Sequence, residues 1–487
     1  MSKGNHTTTQ PDKLGSDPAV KEVFLKMGKF KHVVSVSLAI LLTLSALASQ
    51  AAVKPNPLFS NGAVLQQGMR LPVFGTATDE KVTVEFQGQK VSAIVSGGYW
   101  ILHLKPLRAG GPFTMKINDL ELTNILVGEV WLCSGQSNMG FMVSQSENAE
   151  PAIASSKDSM LRLLTVPKGD KRGEFAVSWR ECGPDTVGTF TAVGYFFGRD
   201  LRKDLKVPVG LIDCSVGGTP AEAWTSREVL KANFPYMLEK DPPRTGKGRP
   251  AALYNAMIAP LQPYGIRGVI WYQGEGNAPR AYEYRSLFPA MIKNWRQAWG
   301  QGDFPFYFVQ LAPFASPAAE GSWAELREAQ LLTVKTVPNT AMAVITDIGT
   351  ETNIHPPNKE PVGHRLALAA RALVYGEPIE YSGPIYKEMN VEASKAIIAF
   401  DHVDGGLVSA QKQLPGFTIC GADGKFIPAL AEIRRDRGVV VWSPDVPNPV
   451  AVRFGWSNWM VVDLFNKVGL PASPFRTDDF PMITKPE

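Results

Sequence analysis

Apolar and polar residues follow two different rhythms along this chain. Between residues 53 and 125 they alternate almost one by one, as in KVTVEFQGQKVSAIV, with Gly97-Gly98 and Gly110-Gly111 as punctuation. A period of two broken by glycine pairs predicts short strands, so this stretch reads as a small β module. From residue 126 the texture changes to continuous apolar runs: ILVGEVWLC (125–133), VPVGLIDC (207–214), IRGVIWY (266–272), FPFYFVQL (304–311) and AMAVITD (341–347). Between several of them lie stripes at helical spacing. Phe190, Val193, Phe197, Leu201 and Leu205 form one, and Leu287, Met291, Trp295 and Trp299 form another. Fully apolar strands alternating with amphipathic helices predict a parallel sheet covered on both faces, here over 126–377. Beyond that, AIIAFDHV and GVVVWSP restore strand patterning among many Gly and Pro, and 378–487 reads as a second β module. The fold class is therefore α/β, flanked by β-rich modules at both ends.

The N-terminus has a pattern of its own. Residues 1–26 form a polar leader. From Met27, Lys29 and Lys31 precede the apolar stretch Val33–Leu47, followed by the small-residue cleavage sites Ala46-Leu47-Ala48 and Ser49-Gln50-Ala51. A basic start, about 15 apolar residues and small residues at the end are the parts of a signal peptide. A spanning helix needs about 20 apolar residues, so 27–51 predicts periplasmic or secreted delivery with no stable membrane span. Met27 is then a candidate true start.

Composition narrows the function. The 487 residues are 44% hydrophobic and 20% charged with a net charge of +4, which offers no basic stripe for nucleic acid. The four cysteines Cys133, Cys182, Cys214 and Cys420 include no CxxC pair, and no HExxH is present, so a metal site has no support. Cys133 and Cys214 end neighbouring runs, and either a disulfide or two buried thiols would fit.

Open α/β sheets bind ligands beyond the carboxyl ends of their strands. Four polar, glycine-rich breaks fall there: SGQSNM, SVGGTPAEAW, QGEGNA and IGTETNIHPPNK. Ser137 in the first is a candidate nucleophile, but a free hydroxyl needs a base. Of six histidines, His6 and His32 fall in the leader and signal, and His103 and His402 fall in the β modules. His355, in the loop after the last run, is the better placed of the remaining two; His364 stands at the start of the helical pattern RLALAARAL. Acyl transfer also needs donors to an oxyanion. Gly217 and Gly218, the N–H of Ser137 and the amide of Gln273 are the candidates. Trp224 is a candidate sugar-stacking ring.

Taken together, GQSNM, GGTPAEAW, WYQGEGNA and IHPPNKEPVGHRLA resemble the sialate O-acetylesterase family, a branch of the SGNH hydrolases. The likeness extends to VLQQGMRLPVFGTA in the front module and VGLPASPFRTD near the end. It implies a flavodoxin-like sheet between β modules and removal of acetyl groups from sugars, sialic acid or a plant or bacterial glycan, without cofactor. Matched by position, Ser137 would be the nucleophile and His355 the base, with Ser137 N–H, Gly217 or Gly218, and Gln273 as the oxyanion hole. One position departs: many such enzymes carry aspartate three residues before the histidine, where this chain has Thr352 followed by Asn353. Glu275 and Asp347 are the alternative acids, and a Ser–His dyad oriented by a backbone carbonyl is the third option. Rival readings are a carbohydrate-binding protein without catalysis and an esterase for other esters; no long apolar lid favours lipids.

Overall fold

The computed structural model describes residues 53–168, 176–239, 246–403, 405–434 and 438–486. The leader 1–26 and the signal segment 27–51 lie outside the described residues. Among the described residues no helix is long and apolar enough to cross a membrane.

The centre is a sheet whose parallel part uses β1 (Leu120–Gly135), β2 (Asp158–Thr165), β3 (Val209–Ser215), β4 (Gly268–Tyr272), β5 (Phe306–Val309) and β6 (Thr340–Ala343), in the order β2-β3-β1-β4-β5-β6. All five apolar runs supply strands. β2 was not expected, because Arg162 interrupts its apolar residues; that guanidinium is buried and held by Ser159 O, Asn124 Oδ1 and Glu181. Leaving β2 aside, β1 sits between β3 and the β4-β5-β6 series, so the chain reverses direction of travel across the sheet at β1. Loops at the carboxyl ends splay apart at such a reversal and leave a crevice.

Four helices cover the sheet: α1 (Ala192–Leu205), α2 (Ala281–Trp299), α3 (Ser322–Thr336) and α4 (Glu360–Leu373). Alternation along β5 assigns their sides. Tyr307 shares the Trp131 ring with Phe197 of α1, whereas Phe306 and Phe308 meet Phe288 of α2. Thus α1 and α2 lie on opposite faces, and the sheet is buried from both. Thr191 caps α1 by accepting the Gly194 N–H, and Pro361 opens α4 where no helical donor is lost. At Gly363 a Cβ would stand 2.7 Å from the Phe197 N, so α4 approaches the backbone of α1 as only glycine permits.

β1 is 16 residues long and serves two modules. Its first half pairs with Gly110–Ile117 and Val64–Gln66, and its second half lies between β3 and β4. The strands of 53–125 consequently share one continuous core with the α/β part. Residues after 378 build two four-stranded sheets around a separate core that includes Phe400, Phe417, Phe454 and Phe475. Arg327 of α3 ties that module on: its guanidinium donates to the carbonyls of Leu311, Ala312, Ser457 and Asn458. Cys133, Cys182, Cys214 and Cys420 are all buried free thiols.

Candidate active site

The four polar breaks lie at the carboxyl ends of the strands. β1 ends at Gly135, whose φ of 136° and whose position against β4 both demand glycine: a Cβ there would fall 2.2 Å from the Tyr272 carbonyl oxygen. The chain then turns sharply and is pinned to both neighbouring strands. Gln136 N–H donates to Tyr272 O, and Val216 N–H donates to Gly135 O. Gln136 Oε1 accepts the N–H of Gly276. The next residue, Ser137, is thereby held half-buried at the rim.

His355 reaches it from the loop after β6. Its Nε2 lies 2.7 Å from Ser137 Oγ. The loop is fixed locally, since His355 N–H donates to Asn353 Oδ1 and Thr350 Oγ1 donates to Asn353 O. Burial holds the imidazole below its ordinary pKa of 6.5, and the Lys359 charge depresses it further. An imidazole kept neutral at neutral pH and hydrogen-bonded to a hydroxyl is equipped to take that hydroxyl's proton. His364, by contrast, sits on α4 and bonds Asp200.

Gly217 stands against Ser137: a Cβ on it would lie 3.2 Å from Ser137 Cβ. Gly218 is the exposed, positive-φ member of the turn (φ 71°). The Gln273 amide is engaged elsewhere. It is fully buried, its amide hydrogens go to Thr219 O and Asn277 Oδ1, and its oxygen accepts from Tyr284. Trp224 is likewise core and not a sugar platform. It is 0% exposed, donates to Thr219 Oγ1 and meets Trp271 edge-on.

Neither acid candidate meets the histidine. Asp347 has both carboxylate oxygens occupied by the Arg365 guanidinium, each at 2.7 Å. Glu275 Oε1 accepts from Asn138 Nδ2 at 2.6 Å, and burial raises its pKa although that bond opposes the rise. Among the described residues no carboxylate forms an ion pair with His355.

Asn138 and Lys359 were not singled out from the sequence. Asn138 follows Ser137 and is 1% exposed; its amide bonds Glu275, Ile354 O and Lys359 Nζ. Lys359 is completely buried between the rings of Phe141 and Tyr272, with Nζ 4.9 and 5.4 Å from their centroids. Phe141 also lies beside the His355 ring, 6.5 Å between centroids. The available signal was NM directly after the serine and the lysine four residues after the histidine. Among the described residues no group of three His, Cys, Asp or Glu gathers as a metal site would need.

An α/β fold with a serine–histidine pair at the carboxyl rim has the outline of a hydrolase, and comparison with known proteins places the chain among the carbohydrate esterases. It belongs to the sialic acid-specific acetylesterase family, whose model matches residues 127–372. It is 31% identical over 483 residues to the sialate O-acetylesterase of Mus musculus, covering 82% of this chain and 89% of that protein. Against the sialate O-acetylesterase of Homo sapiens it is 31% identical over 479 residues, covering 85% and 91%. A crystal structure described as a carbohydrate acetylesterase from Xanthomonas citri superposes with a TM-score of 0.82 at 40% identity, covering 88% of this chain and all of that one.

Proposed function

We propose that this chain is an exported serine esterase that releases acetate from O-acetylated carbohydrates. The observation that carries the reading is the 2.7 Å bond between Ser137 Oγ and His355 Nε2 at the sheet's carboxyl rim. The order β3-β1-β4-β5-β6 supports reading residues 126–377 as a flavodoxin-like SGNH hydrolase unit. Export rests on the pattern of residues 27–51.

The reaction runs in two steps. His355 Nε2 takes the proton of Ser137 as Oγ attacks the acetyl carbonyl carbon. The resulting oxyanion is met by the N–H of Ser137 and that of Gly217. The carbon–oxygen bond to the sugar then breaks, the imidazolium returns its proton to the departing sugar oxygen, and acetyl-Ser137 remains. Water repeats the attack: its proton passes to His355, the bond from the acetyl carbon to Ser137 Oγ breaks, and the imidazolium returns the proton to Oγ, leaving free Ser137 and acetic acid, which ionises to acetate. Among the described residues no carboxylate forms an ion pair with the imidazole, and the lowered pKa that burial and Lys359 impose keeps the base form available.

The test is acetate release from acetylated sialic acid, acetylated plant polysaccharide and 4-nitrophenyl esters of short and long acids, with Ser137→Ala alongside. Release from an acetylated sugar by the parent and loss in the variant would support the reading. Equal background rates in both, with sugar binding retained, would replace it with a binding protein. A preference for long-chain esters would replace the carbohydrate substrate.

A further inference from the structure

The two reacting side chains come from loops 218 residues apart in sequence, and one buried asparagine joins those loops. Asn138 is adjacent to Ser137; Ile354 is adjacent to His355. Asn138 Nδ2 donates to Ile354 O at 3.0 Å and to Glu275 Oε1 at 2.6 Å, while Asn138 Oδ1 accepts from Lys359 Nζ at 2.5 Å. Every hydrogen-bonding direction of this amide is used for its donors, and the oxygen is taken by a cation. The geometry has a strict logic. An ammonium donates and never accepts, so the amide oxygen must face Lys359. Both amide hydrogens then turn the other way, toward Glu275 and the backbone before His355.

We infer that Lys359 is a positioning residue of the esterase: through Asn138 it sets the separation of Ser137 from His355, and its ammonium places a positive charge beside the histidine loop. The inference rests on the esterase reading above.

Three further observations agree. Lys359 is fully buried, and a lysine is rarely shut away unless it has a specific partner. Its charge is housed rather than merely tolerated: the faces of Phe141 and Tyr272 flank it, and Glu275 opposes the burial that draws its pKa down to about 7. Phe141 touches the surroundings of both Lys359 and His355, so the cation and the imidazole share a wall. The titratable groups facing Lys359 are Glu275 and Tyr272, from the end of β4 and the turn after it, and His355 on its own loop.

Two consequences separate this role from plain packing. Removing the cation while keeping the chain's bulk, in Lys359→Met, frees the Asn138 oxygen and lets the two loops drift; a displacement near 1 Å costs on the order of 100-fold in turnover. It also removes a positive charge that disfavours protonation of His355, so the imidazole pKa rises and the acid limb of kcat/KM moves to higher pH. Asn138→Ala breaks the link but leaves the charge, so turnover falls and the acid limb stays. Lys359→Arg keeps the charge but not the compact donor, so its acid limb also stays.

The experiment measures kcat, KM and the pH profile for 4-nitrophenyl acetate in the parent, Lys359→Met, Lys359→Arg, Asn138→Ala and Ser137→Ala, with circular dichroism melts of each. Support is a kcat loss of about 100-fold in Lys359→Met and in Asn138→Ala with KM little changed, and an acid limb displaced upward in Lys359→Met alone. Full turnover or an unmoved acid limb in folded Lys359→Met overturns the inference. Should Lys359→Met not fold, Asn138→Ala decides: lost turnover in a folded protein supports the link, and parental turnover overturns it. Equal rates in the parent and Ser137→Ala instead overturn the esterase reading itself.

Discussion

Gly217→Ala gives the most quantitative handle on the site. The added methyl would lie 3.2 Å from Ser137 Cβ and 3.6 Å from Ser137 Cα. Carbon atoms rest at about 3.5–4.0 Å, so the serine must retreat by roughly half an ångström. Ser137 cannot retreat freely, because Gln136 is bonded to Tyr272 O and Gly135 is bonded to Val216 N. The strain therefore falls on the Ser137–His355 bond. If a 1 Å error costs on the order of 100-fold, half of it costs about 10-fold in kcat. The backbone N–H of residue 217 is kept, and Gly217 has no positive φ, so the protein should fold. The assay is 4-nitrophenyl acetate turnover with a thermal melt. Gly183→Ala is the control, since nothing lies within 4 Å of the Cβ it would gain. A folded Gly217→Ala enzyme with the control's kcat would refute the placement of Gly217 against a catalytic Ser137.

Three other outcomes follow from the same geometry. Because burial and Lys359 hold His355 below 6.5 and its neutral form is the base, kcat/KM should rise with pH through an apparent pKa below 6.5; an acid limb at or above 6.5 would contradict this. Asp347→Asn should lower the melting temperature through weakened pairing with Arg365 yet leave most of the turnover, whereas loss of a triad acid costs about 10⁴-fold; measuring kcat distinguishes the two. Trp224→Ala should cost about 3–5 kcal/mol in denaturant unfolding, as a buried core ring does, while a sugar platform would show itself as a raised KM in a protein of parental stability.

Strand runs and the polar breaks after them were legible because burial on both faces forces continuous apolar segments, and a rim forces their interruption. That is why Ser137 and His355 could be singled out although 218 positions separate them. β2 was not legible, since its buried Arg162 is neutralised by Glu181 and by oxygens that only the fold brings near. The engagement of the Gln273 amide was hidden for a related reason. The motif places an amide at the rim, but of the acceptors that take both its hydrogens, Asn277 Oδ1 lies in the motif itself and Thr219 O comes from the loop after β3. Trp224 carries no sequence mark of its burial, which Trp271 and Trp295 complete from elsewhere. Lys359 looked like an ordinary loop lysine, and only the aromatic walls and Asn138 reveal its confinement. The boundary at 125/126 marks a change of texture, yet β1 runs straight through it and the two sides share a core.

As the proposed nucleophile, Ser137 would carry the acetyl group between the two half-reactions. Rapid acid quenching of the enzyme during turnover of an acetyl ester, followed by peptide mass analysis, tests it directly. One acetyl group is expected on the peptide containing Ser137, absent from Ser137→Ala. A turning-over enzyme with that peptide unmodified and the acetyl group on another residue would contradict it.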